Sequence, residues 1–98
     1  MGSEEDAVEV KDVGGAKGLS VRLPNASFVL VVGRKGYLMC GYLNMDTAER
    51  LGDAACMVSG VSTVDDALSA RVKAVSSKAR SLGISEGMTG REALLLLS

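Results

Sequence analysis

The chain has 98 residues, enough for one small domain with a limited core, and 47% of them are hydrophobic while only 3% are aromatic. Burial must therefore depend on Val, Leu, Ala and Met, and such an apolar chain of this length suggests a partner subunit. The formal net charge of -1 provides no electrostatic drive towards polyanions, which disfavours nucleic acid as a partner.

Cys40 and Cys56 are too far apart for a CxxC pair, and the chain contains no histidine. The sequence therefore predicts neither a zinc cluster nor a secreted disulfide framework, and no motif predicts a cofactor. Free thiols favour a cytoplasmic protein. No apolar run approaches the ~20 residues that span a membrane, so no membrane partner is expected. Residues 1–98 read as a single domain in which Met1 to Asp6 form a frayed end.

The first half of the chain predicts a sheet of about four strands. Apolar alternation or continuous apolar runs occur at residues 7–13, 19–23, 28–32 and 37–40. The first of these, with Val8 and Val10 alternating with Glu9 and Lys11, is typical of a half-buried strand. Phe28–Val32 has no polar position, and neither has the next strand at residues 37–40. We expect those two strands to be covered on both faces, by helices of the same chain and by a neighbouring subunit.

Helical signals dominate the second half. The sequence first predicts a short helix at 47–51 after Asn44 or Asp46 and a strand at 54–58. A helix capped by Thr63 follows, and then a helix through Val72, Val75, Ala79 and Leu82 that ends at Gly83. A final helix begins at Thr89. Thr89 and Glu92 have capping-box spacing, and the four leucines after Ala93 predict a helix buried on several sides. Strands followed by helices predict an α+β fold: an N-terminal antiparallel sheet, then a helical half packed on one sheet face.

Cys40 is the candidate catalytic residue. It ends an apolar strand, precedes Gly41, and lies within a few residues of a helix start whose dipole could lower the thiol pKa. In a chain without histidine, the base would have to be Asp46, Glu92 or a lysine. Buried cysteines are common core residues, so a structural role is the favoured interpretation.

Thr89, Gly90 and Arg91 form a candidate site for a small anionic ligand, and Gly41 joins them as a candidate ligand-binding residue. The backbone N–H groups at the helix start and the arginine side chain are suited to binding an anion. The same residues are explained by a capping box that only begins a helix, and this is the favoured interpretation.

Three sequence motifs are distinctive: G-Y-L-M-C-G from Gly36 to Gly41, G-V-S-T from Gly60 to Thr63, and L-G-I-S-E-G-M-T-G-R-E-A-L from Leu82 to Leu94. Through them the chain resembles the YunC-like family of small bacterial and archaeal proteins, a domain of unknown function, over roughly residues 18–97. The resemblance implies an N-terminal β region used for tetramer formation, helices packed behind it, and no established activity. The chain has Asn44 where an acidic residue is expected after the Cys-Gly pair, which weakens a catalytic role for a carboxylate there.

Three functions remain open at this point. The leading hypothesis is a homo-oligomeric α+β protein with a structural or small-ligand-binding role rather than an enzyme. The second is a small enzyme in which Cys40 is the nucleophile and Thr89, Gly90 and Arg91 hold an anionic substrate group. The third is an anion-binding regulatory module, which needs the helix start but no thiol. A pocket shared by Cys40 and Arg91 would favour the enzyme.

Overall fold

A computed structural model describes residues 7–98, so the frayed end expected at residues 1–6 lies outside the described residues. Within that range, one sheet contains six strands in the order β1-β2-β3-β4-β5-β6. The strands are β1 (Val8–Val13), β2 (Ala16–Arg22), β3 (Ser27–Val32), β4 (Gly36–Met39), β5 (Ala54–Met57) and β6 (Ala74–Val75). Neighbours are antiparallel except β4 and β5, which are parallel. The α+β class is confirmed, with a mixed sheet of six strands in place of the predicted antiparallel sheet of about four.

The first hairpin has a turn of only two residues, shorter than the glycine-rich stretch at residues 14–18. Strand β2 already begins at Ala16, so the turn contains only Gly14 and Gly15. These two residues have φ angles of 53° and 92°, a region that side chains disfavour. Glycine is therefore favoured at both turn positions, most strongly at Gly15.

The described residues form four helices: α1 (Met45–Leu51), α2 (Val64–Ser69), α3 (Ser77–Ser81) and α4 (Gly90–Leu97). Parallel strands cannot be joined by a tight turn, and α1 is the crossover between β4 and β5. Asn44 begins this helix by accepting a hydrogen bond from the Thr47 N–H at 3.1 Å, and Gly52 ends it in the left-handed region. The predicted short helix and the strand after it are both present.

The helices cover the two sheet faces unequally. Helices α2, α3 and α4 pack on one face, where they form the main core with inward residues such as Val31, Leu38 and Cys56. Helix α1 packs on the other face, where Ala48 meets Met39 in a second, smaller cluster. The expectation of helices on one face therefore needs correcting for α1, because the parallel crossover places this helix on the opposite side.

The predicted helix through Val72 and Leu82 is wrong over its first half. Val75 pairs with Cys56 as part of β6. The buried Ser76 hydroxyl then donates to the Asp53 carbonyl at 2.7 Å and accepts from the Ala55 N–H at 2.9 Å. These tertiary hydrogen bonds hold the segment against β5, and only five residues after it become helical. Pairing with the sheet has overridden the helical spacing.

The last helix has the predicted start but is not buried all round. The capping box of Thr89 and Glu92 is complete, and Ala93, Leu94 and Leu97 lie in the main core. Leu95 is 74% exposed, so this helix has an apolar outer side as well. None of the helices formed by residues 7–98 is long and apolar enough to cross a lipid bilayer.

Candidate functional site

Cys40, the predicted nucleophile, lies inside the main core. Its side chain is 3% exposed and belongs to the same cluster as Val29 and Leu38. The Sγ atom accepts a hydrogen bond from the backbone N–H of Val29 at 3.2 Å. A catalytic thiol needs access to substrate and a group that stabilises its thiolate. The observed contacts instead favour a structural role for this residue.

Cys56, on the neighbouring strand β5, is a second buried thiol. Burial raises the pKa of Cys56 to about 12, so the thiol is protonated at neutral pH. A protonated, enclosed thiol is a poor nucleophile, which makes Cys56 an ordinary core residue.

Gly41 follows Cys40 at the exposed end of the strand. The backbone turns here, and the Leu43 N–H donates to the Cys40 carbonyl at 3.2 Å before α1 begins. A Cβ atom added to Gly41 would meet no atom within 4 Å. Packing within one chain therefore does not require glycine at this position.

The start of α4 uses most of its own hydrogen-bond donors. The Thr89 N–H donates to Glu92 Oε1 at 2.9 Å, the Gly90 N–H donates to the Ala70 carbonyl at 2.8 Å, and the Glu92 N–H donates to Thr89 Oγ1 at 3.1 Å. Hydrogen bonds from Thr89 lower the pKa of the Glu92 carboxyl, so a negative charge already occupies this end of the helix. The arrangement favours a plain capping box over an anion site.

Gly90 and Arg91 lie in different surroundings. Gly90 is buried, and an added Cβ atom would collide with the carbonyl oxygen of Ala67 on α2. Arg91 is exposed and lines a cavity of about 160 Å³ beside Leu94. Cys40 does not line this cavity, so the two distinctive residues of the enzyme hypothesis do not share it.

Within residues 7–98, a sheet surface without a covering helix is the most prominent feature of the fold. We call it the open face, the outer side of β1–β3 that carries Val8, Val10, Leu19, Val21, Leu30 and Val32. Val8, Val10 and Val32 are 47%, 68% and 43% exposed, and the other three are half-buried. Lys17 and Asp12 form an ion pair at the end of this surface, in register with Val32. The open face is thus an apolar area with a charged rim.

An apolar groove extends the open face towards α1. It has a volume of about 470 Å³, and its walls include Leu30, Val32, Tyr37, Met39 and Tyr42. Leu30 and Val32 belong to both surfaces, so the groove and the open face are continuous. Tyr42, at the outer wall, is 52% exposed. The Tyr37 hydroxyl points to the other end and donates to Asp53 Oδ2 at 2.8 Å.

Strand β1 has its alternation as predicted, but its apolar side faces away from the helices formed by residues 7–98. Lys11, on the polar side, forms an ion pair with Asp65 of α2 at 2.9 Å. Val8 and Val10, on the apolar side, lie on the open face. The sequence predicts apolar surface on two sides of β3 and β4, but most of the exposed valine surface lies on β1. The valine alternation was the available signal, since periodicity alone does not say which side a helix covers.

Comparisons with known proteins agree on a family. A family model described as Domain of unknown function (DUF1805) matches residues 39–97. The chain is 40% identical over 81 residues to the uncharacterized protein YunC of Bacillus subtilis (strain 168), an alignment that covers 79% of this chain and 80% of that protein. The fold is similar to the crystal structure of a protein of unknown function, TA1206 from Thermoplasma acidophilum, with a TM-score of 0.84 and 40% identity over 93% of this chain and 91% of the other. The resemblance to YunC-like proteins is confirmed.

Proposed function

The chain belongs to the family described as Domain of unknown function (DUF1805), and from this premise we propose that it works as a homo-oligomer that assembles through the open face. Its role would then be structural, or would depend on a ligand held by the assembled subunits. The observation that carries the proposal is the orientation of β1, whose charged side contacts α2 of the same chain while Val8 and Val10 face outwards.

An amphipathic strand is stabilised when its apolar side is removed from water. On the inner side of the sheet, β2 packs closely against α2 at Gly18, where an added Cβ atom would lie 2.8 Å from Val64. By contrast, residues 7–98 leave Val10, on the outer side of the sheet, 68% exposed. Contiguous apolar patches of this kind on soluble proteins commonly mark an interface. Burying them contributes about 25 cal/mol for each Å² of apolar surface removed from water.

A second copy of the chain is the partner that fits this surface. The apolar centre carries no unpaired charge, and the rim charges of Asp12 and Lys17 already neutralise each other. Two such sheets can pack face to face at a spacing of about 10 Å with their valines and leucines interdigitated. A two-fold contact places the same patch on both sides of the interface, so no separate complementary surface is needed.

We extend the proposal to a tetramer formed by the N-terminal β region. A tetramer built from pairs of dimers needs a second contact beyond the face-to-face one. Strand β1 is an edge strand of the sheet formed by residues 7–98, and its outer backbone groups have no strand partner there. This edge belongs to the same β region as the open face and is available for that second contact.

Val10→Lys tests the proposal. A lysine in a packed apolar interface is strongly unfavourable, whereas at a position 68% exposed in the single chain it has little effect on folding. We expect the variant to lose mass in sedimentation velocity while its far-UV circular dichroism stays that of the wild type.

Leu95→Lys is the matched control, because Leu95 is 74% exposed but lies on α4 behind the main core. We expect this variant to retain the wild-type mass. The proposal fails if Val10→Lys sediments like the wild type, or if both variants dissociate equally.

A further inference from the structure

A small cavity beside the hairpin between β3 and β4 is lined by three basic residues. It has a volume of about 230 Å³ and is lined by Arg34 and Lys35 of the hairpin and by Lys78 of α3. Asp53 and Tyr37 lie on its wall. None of the residues singled out by sequence motifs lines this cavity apart from Gly36 and Tyr37, so it is separate from the Thr89 helix start and from Cys40.

The hairpin that carries Arg34 and Lys35 is held from two sides. The Gly33 N–H donates to the Gly36 carbonyl at 2.8 Å, and the Lys35 N–H donates to the Leu97 carbonyl at 2.7 Å. A Cβ atom at Gly33 would lie 2.6 Å from that same Leu97 oxygen, so only glycine permits the approach of α4. The backbone of the two basic residues is therefore fixed before any ligand arrives, which lowers the entropic cost of binding.

The three cations lack neutralising partners within the part of the chain that the structure describes. Lys11, Lys17 and Arg80 each form an ion pair there, whereas Arg34, Lys35 and Lys78 form none.

Asp53 is the acidic residue that lines the cavity, and both Asp53 and Glu49, which contacts the start of α3, already accept hydrogen bonds. Asp53 Oδ2 accepts the Tyr37 hydroxyl at 2.8 Å, and the Glu49 carboxylate is bonded to Ser77 at the start of α3, where its Oε1 accepts the Ser77 N–H at 2.8 Å. Three positive charges and one lining carboxylate leave this cavity with an excess of positive charge.

We propose that this cavity binds the phosphate group of a small phosphorylated molecule. A guanidinium such as that of Arg34 can bond two phosphate oxygens at once, and lysines add charge without fixing direction. A phosphate monoester carries about 1.5 to 2 negative charges near neutral pH, which matches three cations better than a carboxylate does. The volume of about 230 Å³ is below the ~300 Å³ at which pockets for drug-sized ligands begin, so the bound part of the ligand is small. The Asp53 carboxylate and the oxygen of the Tyr37 hydroxyl can each accept a hydrogen bond from a neighbouring hydroxyl of that molecule.

Titration calorimetry with inorganic phosphate, pyrophosphate and a hexose phosphate, at matched ionic strength in chloride, tests this site. We expect binding of at least one of the three probes, and tighter binding of the hexose phosphate than of inorganic phosphate if the hydroxyl contacts are used. Arg34→Gln combined with Lys78→Gln should weaken the affinity by about tenfold or more, since two charged hydrogen bonds are lost.

Lys73→Gln is the control, because Lys73 is exposed, forms no ion pair among residues 7–98 and does not line the cavity. It should bind the probes as the wild type does. Absence of heat for all three probes at millimolar concentration would overturn the proposal. Equal weakening by Lys73→Gln and by the double variant would also overturn it, since it would show only general attraction to a charged surface. Circular dichroism of each variant separates loss of binding from loss of fold.

Discussion

The covered and open faces of the sheet are built from the same residue types, yet they meet different surroundings. Val31 and Val32 are neighbours on β3; Val31 is fully buried against the helices, while Val32 is 43% exposed on the open face. The difference comes from helix placement, since α2, α3 and α4 all pack on one side and α1 covers only part of the other. An all-apolar strand sequence therefore predicts that both faces are buried, but it does not predict whether a helix or another subunit covers each face.

Substituting lysine at each of these two valines gives the largest expected contrast. Val31→Lys places an unpaired charge in the main core, and we expect it to reduce the free energy of unfolding by on the order of 4 kcal/mol or more. Val32→Lys should keep the fold, with a change of about 0.5 kcal/mol or less in the isolated subunit, and should weaken association. Urea denaturation and sedimentation velocity of both variants measure the two effects. A Val31→Lys protein that stays folded and only dissociates would reverse the assigned faces.

The pH dependence of stability tests whether water is excluded from the covered face around Cys56. Burial raises the pKa of Cys56 to about 12 from an ordinary value of 9.0. Between these values the unfolded chain has lost the thiol proton while the folded chain retains it, so the free energy of unfolding falls as pH rises across this interval. Cys56→Ala removes this contribution, and its stability should decline less steeply with pH than that of the wild type.

Chemical denaturation at several pH values above 9 compares the two profiles. The pKa of Tyr37 is also raised to about 12, chiefly by burial, and its contribution is common to both proteins and cancels in the difference. Parallel profiles for wild type and Cys56→Ala would mean that this part of the covered face is hydrated.

A smaller change in the free energy of unfolding is expected at the start of α4, one of the helices on the covered face. Thr89→Ala removes the hydroxyl that accepts the Glu92 N–H, and loss of such a cap reduces the free energy of unfolding by about 1 kcal/mol. Thr47→Ala, an exposed threonine inside α1, is the control and should leave stability unchanged or slightly higher. If both substitutions have the same effect in urea denaturation, the capping box does not stabilise α4.

Local signals allowed much of the fold to be predicted. The Thr89 and Glu92 spacing and the Asn44 cap each depend on residues close in sequence, and each is present. The helix predicted through Val75 failed because two strand residues and a short helix reproduce helical spacing, while pairing with Cys56 decides the structure. That pairing joins segments distant in the chain, so no local pattern reports it.

The candidate site was less predictable than the fold. Cys40 and Arg91 are distinctive in sequence, but their surroundings depend on which way each side chain points. Hydrogen bonds with Val29 of β3 hold Cys40 in the core, whereas Arg91 lies on the exposed side of α4. The open face and the cavity beside the β3–β4 hairpin are each formed by residues from separate elements. Side-chain types alone do not show which of these residues the fold brings together.

Sedimentation equilibrium of the wild-type protein over a range of micromolar concentrations measures directly whether the chain self-associates through its open face. We expect a mass that is a multiple of the 10.1 kDa chain, with four copies for the proposed tetramer. A stable particle of 10.1 kDa at every concentration would contradict it, because the valines of the open face would then remain in water.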